Sequence, residues 1–228
     1  MKIGGFIASS LIDYPDKIAA VIFFRGCNFR CPYCHNSWLL EKKEKSISLS
    51  YILDFLKKRI GKLDGVVLSG GEPTIQSNLK NVIEKIKNLG YPVKLDTNGY
   101  KPETIAKLLN GNLLDYIAMD IKGPFYKYGK ITNSDIKIEK IKQSINIIKS
   151  SRIDYEFRTT VVKSLLTEND ILTCGKHIKG AKTYYLQKFN HNNNTLDKNF
   201  KKEETYSYEE LKKIIGKLKF NVKNSAFR

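Results

Sequence analysis

Cys27, Cys31 and Cys34 lie within eight residues in the spacing Cys-x3-Cys-x2-Cys. Thiolates in such clusters hold zinc or iron–sulfur centres. Three of them leave a four-ligand site one short. On a [4Fe–4S] cluster that shortfall leaves one iron open to an external ligand, so the group becomes a catalyst as well as an electron carrier. On zinc the fourth ligand would be His35 or Cys174. His35 adjoins Cys34, an awkward spacing for shared tetrahedral ligation. Cys174 is remote in sequence, in a predicted helix, where it reads as an ordinary buried thiol. Both metals stay open on these residues alone.

Three further loops carry unusual residues, each directly after an apolar run: Ser69-Gly70-Gly71-Glu72-Pro73, Asp96-Thr97-Asn98-Gly99 and Asp120-Ile121-Lys122. Glycine has no Cβ, so Gly70 and Gly71 allow the backbone to approach a ligand closely. Exposed backbone groups there suit the amino and carboxylate ends of a small zwitterion. Read singly, a Gly-Gly or Asn-Gly pair is an ordinary turn, and Lys122 a surface lysine. Arg158 falls inside a predicted strand, where an unpaired charge is costly, so a ligand or carboxylate partner is expected. His177 reads as a helix-end histidine without a further role. Asp13-Tyr14-Pro15 reads as fixing the chain's approach to the first strand.

The elements that must position these loops alternate along the chain. Strands are predicted at 18–25, 64–69, 91–96, 115–120, 155–162 and 182–188. The first is a continuous β-branched and aromatic run, as a strand buried on both faces requires. Between them, Ile52, Phe55, Leu56 and Ile60 have helical spacing, as do Leu79, Val82, Ile83, Ile86 and Leu89 before the stop at Gly90. Ile105, Leu108 and Leu109, then Ile138, Ile141, Ile145 and Ile148, mark two more helices, and a short one spans Glu168–His177. Ser207, with Glu210 three residues on, opens a last helix through Leu211, Ile214, Ile215 and Leu218. Six strand–helix units imply an α/β fold with a parallel sheet, either open and doubly wound or a full or partial barrel. In such folds function gathers at the carboxyl ends of strands, where all four loops fall. No domain boundary is evident: one domain over 1–228 is expected, with its core at about 18–190 and a C-terminal helix and tail at 206–228. Asn190–Asn194 reads as a surface loop.

Composition narrows the class of protein. The chain has 228 residues, 41% of them hydrophobic, enough for a substantial core without staples. Forty Lys and Arg face 23 Asp and Glu, a formal charge of +17. The lysines form no dense block, and Glu41-Lys42-Lys43-Glu44-Lys45 mixes both signs, so a solvated surface is expected, not direct nucleic-acid binding. Clustered cysteines in an intracellular-looking chain point to metal ahead of disulfides. The longest apolar run, Ile18 to Phe24, is too short for a membrane span. Ile3 to Ile12 runs into Asp13-Tyr14-Pro15-Asp16 without a cleavage site, so a cytoplasmic protein is expected.

Taken together, Cys27-x3-Cys31-x-Tyr33-Cys34 and Gly70-Gly71-Glu72-Pro73 resemble the motifs of the radical SAM superfamily. The likeness runs over nearly the whole chain and implies a partial (β/α)6 barrel holding one three-cysteine [4Fe–4S] cluster and S-adenosylmethionine. Within that superfamily, Ser10-Leu11-Ile12-Asp13-Tyr14-Pro15 resembles the opening of the longer anaerobic ribonucleotide reductase activating proteins. Cys34-His35-Asn36, Asp96-Thr97-Asn98-Gly99 and Asp120-Ile121-Lys122 resemble pieces of pyruvate formate-lyase activating enzymes. The cysteine-rich insertion of some other activases is missing, which implies a single cluster. By the same resemblance Tyr33 and His35 contact the adenosine moiety, and Gly70, Gly71 and Glu72 cradle the methionyl end. Asp120 and Lys122 meet the ribose or carboxylate, Asp96 and Asn98 border the cofactor, and Asp96, Thr97 and Asp120 hold a monovalent cation. Where those activases carry a His after the sixth strand, this chain has Asn190, with His191 adjacent.

The resemblance implies reductive cleavage of S-adenosylmethionine to a 5′-deoxyadenosyl radical, which removes a hydrogen atom from a glycine of a partner enzyme. The implied partners are an anaerobic ribonucleoside-triphosphate reductase and an electron donor such as flavodoxin or ferredoxin. Three alternatives stand beside it. They are an activase of a pyruvate formate-lyase-like enzyme, a radical enzyme on a small molecule like 7-carboxy-7-deazaguanine synthase, and a carrier or zinc module without catalysis.

Overall fold

The computed structural model describes residues 2–41, 46–190 and 194–228, side chains at Lys201 and Lys202 excepted. Lys42 to Lys45 and His191 lie outside the described residues. The six expected strands form within a residue or two of their predicted limits: β2 (Ala19–Phe24), β3 (Gly65–Gly70), β4 (Val93–Thr97), β5 (Tyr116–Asp120), β6 (Asp154–Val161) and β7 (Thr183–Lys188). Two more complete an eight-stranded sheet in sequential order: β1 (Ile3–Ser10), antiparallel to β2, and β8 (Asn224–Phe227), parallel to β7. Both are edge strands, and neither carries the β-branched pattern of a buried strand. Gly4 and Gly5 open β1, and β8 is only four residues long. Every other neighbouring pair is parallel.

Helices α1 (Leu49–Lys57), α2 (Leu79–Lys87), α3 (Pro102–Asn110), α4 (Tyr128–Thr132), α5 (Ile138–Lys149), α6 (Glu168–His177) and α7 (Tyr208–Leu218) fill the crossovers. Ile60, expected on the first helical face, lies beyond the end of α1 and is exposed. The Ser207–Glu210 pair caps α7 reciprocally, as its spacing predicts, and Thr167 with Asp170 does the same for α6. The helices bury their apolar stripes against one face of the sheet. That face carries Ile22, Leu68, Leu95, Ile117 and Phe157 in the large core.

The opposite face is a different environment. Because strand side chains alternate, every second residue of each strand points to this face. A small apolar cluster of Tyr14, Ala19, Val21 and Val67 closes its lower part. Above it the inward positions turn polar: Ser69 on β3, Lys94 and Asp96 on β4, Asp120 on β5, Glu156 and Arg158 on β6. The sheet edges β1 and β8 do not pair with one another, so the barrel stays open.

Candidate active site

The open side leads into a cavity of about 690 Å³. Its wall includes Cys27, Cys31 and Cys34, the Ser69–Glu72 turn, Asp96, Thr97 and Asn98, and Asp120, Lys122 and Arg158. All four loops singled out by sequence therefore meet at one place.

The cysteine loop leaves β2 and is pinned from several sides. Arg30 donates its amide to Thr132 O (2.8 Å) and its guanidinium to Cys27 O (2.6 Å), while Gly26 N donates to Leu39 O (3.0 Å). The Phe29 amide donates to Cys27 Sγ (3.3 Å), and Asn98 Nδ2 approaches the same sulfur at 3.7 Å. Burial pushes the Cys27 thiol up to about 12, with Glu72 adding to it, and burial raises Cys31 and Cys34 as well. As free groups these sulfurs stay protonated near neutrality, so they become thiolates only against a strong local positive charge, which bound iron provides. Among the described residues, no three His, Cys, Asp or Glu stand close enough to hold a single metal ion. Cys174 is fully buried within α6, beside Tyr184, and does not border the cavity. A zinc site completed by Cys174 is therefore excluded. Asn28 Nδ2 and His35 Nε2 are buried without a hydrogen-bond partner beside the cysteines, and orphaned groups of this kind fit a site built for a cofactor.

Gly70 and Gly71 have a reason that differs from the expected one. A Cβ on Gly71 would stand 1.9 Å from Gly26 O, and one on Gly70, at φ +119°, would stand 2.4 Å from Phe24 N. Gly71 N donates to Phe24 O and Glu72 N to Gly26 O, each at 2.9 Å. The glycines thus let the turn lie directly against the stem of the cysteine loop. Glu72 is held by protein donors. One carboxylate oxygen accepts from Thr74 N (3.0 Å), from the Thr74 hydroxyl and from Thr97 Oγ1 (2.8 Å); the other accepts from Asn98 N (2.7 Å). With both oxygens occupied and the residue 1% exposed, Glu72 ties the β3 and β4 loops together within the cavity wall. Asn98 continues the tie, donating to Asn28 Oδ1 (2.9 Å) on the cysteine loop.

A buried ionic lattice floors the cavity. Arg158 Nε donates to Asp120 Oδ1 (2.8 Å), Lys122 Nζ to Asp120 Oδ2 (2.9 Å), Lys94 Nζ to Asp96 Oδ1 (2.6 Å), and Arg158 stands 3.4 Å from Asp96 Oδ2. Burial opposes the charged form of each acid. Arg158 with Lys122 outweighs it at Asp120, and Arg158 with Lys94 at Asp96, so both carboxyls are held below the usual range. Arg158 has the carboxylate partners its position required. The implied cation ligands Asp96, Thr97 and Asp120 do not converge: the carboxylates face protein cations, and the Thr97 hydroxyl is turned to Glu72.

The remaining expectations fall as follows. Tyr33 is buried in the cavity wall, its hydroxyl against Cys31. His35 also lines the cavity, stacked on Phe189 (5.2 Å) and hydrogen-bonded to the Asn190 backbone. Asn190 itself is exposed and outside the cavity wall; Gln187 and Thr160 occupy the wall there. His177, expected to be idle, stacks on Phe125 and accepts its amide (3.3 Å). Lys94, Gln187 and Thr160 escaped the sequence reading, while Ser69 and Asn36 stood in its motifs without a role of their own. For Lys94 a signal existed: a lysine between apolar residues of a predicted strand, at the same parity as Asp96.

A half-open α/β barrel with three cysteines on the loop after its first parallel strand is the frame in which a three-cysteine cluster would face the cavity. The sequence profile of the Radical SAM superfamily matches residues 21–173. The chain belongs to that superfamily, whose members bind a [4Fe–4S] cluster and S-adenosylmethionine. It is 36% identical over 224 residues to a Methanocaldococcus jannaschii protein provisionally named a glycyl-radical enzyme activating enzyme, covering 95% of this chain and 90% of that one. A 7-carboxy-7-deazaguanine synthase of Aquifex aeolicus is 36% identical over 78 residues, 34% of this chain and 35% of its own. Among solved structures, Streptococcus suis SuiB with its precursor peptide SuiA superposes with TM-score 0.66 at 13% identity, over 91% of this chain and 48% of that one. TYW1 with a lysine–pyruvate adduct gives 0.60 at 14%, over 90% and 74%. These structures share the fold.

Proposed function

We propose that this protein is a cytoplasmic glycyl-radical enzyme activase whose partner is an anaerobic ribonucleoside-triphosphate reductase. The observation that carries the activase reading is the likeness over 95% of the chain to a relative of that provisional name; the reductase partner rests on the Ser10-Leu11-Ile12-Asp13-Tyr14-Pro15 resemblance. The unpaired edges β1 and β8 agree with it, because a peptide loop needs a lateral opening. Glycine suits the chemistry, since flanking amides stabilise its radical and no side chain blocks the Cα.

Cys27, Cys31 and Cys34 would hold the cluster, which when bound and reduced would supply the electron for reductive cleavage of S-adenosylmethionine at its sulfonium C–S bond. Tyr33 and His35 frame the adenosine side of the cavity. The backbone of Gly70 and Gly71 borders the methionyl end. Asp120 and Lys122 present a fixed charge pair to the ribose or carboxylate, held in place by Arg158. Asn98 donates toward the Cys27 sulfur and fixes the β4 loop. Flavodoxin or ferredoxin is the expected class of electron donor.

The test is anaerobic reconstitution followed by iron and sulfide analysis, 5′-deoxyadenosine release, and electron paramagnetic resonance after mixing with the organism's reductase. A glycyl signal in the reductase is expected. Cys31→Ser should lose the release entirely. Cofactor cleavage without a glycyl signal would refute the activase reading while leaving the enzyme class intact. A small-molecule reaction is the second reading, favoured by the partial match to the deazaguanine synthase.

A further inference from the structure

The alkali cation implied by family resemblance does not fit this site, and the reason is one residue. Lys94 stands two positions before Asp96 on β4, so both side chains project to the cavity face. It is 1% exposed, and its ammonium lies 2.6 Å from Asp96 Oδ1 and 2.7 Å from Asp13 O, with the Tyr116 ring 5.9 Å away. Around the rest of Asp96, Ser69 Oγ donates to Oδ2 (3.2 Å) and Arg158 stands at 3.4 Å. Both oxygens of that carboxylate already have a protein donor or cation beside them. Asp120, more open to the cavity, likewise has Arg158 on one oxygen and Lys122 on the other.

We propose that the Lys94 ammonium is the resident counter-cation of this site, and that the protein binds S-adenosylmethionine without an alkali metal. Lys94, Lys122, Arg158 and Arg228 already face Asp96, Asp120 and Glu156, so each carboxylate of the floor has a protein cation beside it before any ligand arrives. The same ammonium holds the carbonyl of Asp13, so the Ser10–Tyr14 turn is anchored to the cofactor floor through Lys94. That gives the Asp13-Tyr14-Pro15 segment a place in the site.

This inference rests on cofactor binding and not on the identity of the partner. Reconstituted wild-type protein should be titrated with S-adenosylmethionine by calorimetry in potassium, sodium and tetramethylammonium chloride at equal ionic strength. Affinities are expected to agree within about two-fold, since only general screening is left to act. Thallium-205 resonance should show no saturable bound ion. A five-fold or greater tightening by potassium, or saturable thallium, would overturn the proposal. Lys94→Met should bind about ten-fold more weakly in tetramethylammonium, a loss of about 1.4 kcal/mol, and regain most of it in potassium. Unchanged affinity, or a loss that potassium leaves unrepaired, counts against the counter-cation role. If Lys94→Met does not fold, Lys94→Gln takes its place; if neither folds, the wild-type titrations decide alone.

Discussion

Gly71→Ala separates two explanations of the Gly-Gly turn. If the glycines exist to admit a ligand, the alanine variant folds normally and loses only cofactor affinity. The structure favours the other account. The new Cβ would sit 1.9 Å from the Gly26 carbonyl oxygen, about 1.5 Å short of ordinary contact distance, and the atom it meets is backbone. Gly26 directly precedes Cys27, so relief of the clash moves a cluster ligand. Overpacking of this kind costs about 1–3 kcal/mol. The two hydrogen bonds across the contact, Gly71 N to Phe24 O and Glu72 N to Gly26 O, add about 1 kcal/mol each if both break. A loss of about 3–5 kcal/mol is expected, a large part of the margin of a typical domain. Denaturant titration of the cluster-free protein measures it without any cofactor. Iron content after reconstitution then reports whether the cysteines still close on a cluster, and it should fall well below that of the wild type. Stability within about 1 kcal/mol of wild type, with full iron content, would refute the packing explanation.

Two further perturbations bear on the loops and the fold. Asn98→Ala removes the donor at 3.7 Å from Cys27 Sγ and the link to Asn28. The cluster's midpoint potential should move negative, because hydrogen bonds to ligand sulfur stabilise the more electron-rich state; a protein-film voltammogram showing no shift or a positive one refutes this. Asp170 is buried at the start of α6, where burial raises its carboxyl but hydrogen bonds from Lys127, Tyr126 and Thr167 outweigh it and hold it at about 2 against 3.8. Its contribution is present above the unfolded value and lost as pH falls through the folded one. Asp170→Asn should therefore cost about 2 kcal/mol near neutrality, and the gap to wild type should narrow between about pH 4 and pH 2. A gap independent of pH would show that charge is not the cause.

Much of this was legible because it obeys short-range rules. Alternating strand and helix patterns placed six strands, and the chemistry-bearing loops followed from topology alone. The edge strands were not legible, since β1 opens on Gly4-Gly5 and β8 is paired on one side only, so neither needs the apolar signature that marks a central strand. The hold on Glu72 was not legible because its sequence neighbours say nothing of Thr97 and Asn98, which approach only across a crossover. The glycines were identified correctly as sites of close approach, but the approaching group is the chain itself.

The ionic floor depends on a residue with almost no chemistry. Along β4 and β6 the inward positions read Lys94, Asp96 and Glu156, Arg158, charges set between apolar residues that point to the helices. In a strand buried on both faces such charges are untenable, so their alternation marks one face as the lining of a cavity. Between those strands, Asp96 is in register with Ala118 and Asp120 with Arg158. Ala118 presents only a methyl group, which leaves Arg158 free to pass over β5 and meet Asp96 as well as Asp120. One guanidinium thereby joins the carboxyl ends of three strands, and the charge pattern of the pocket is fixed before a cofactor binds.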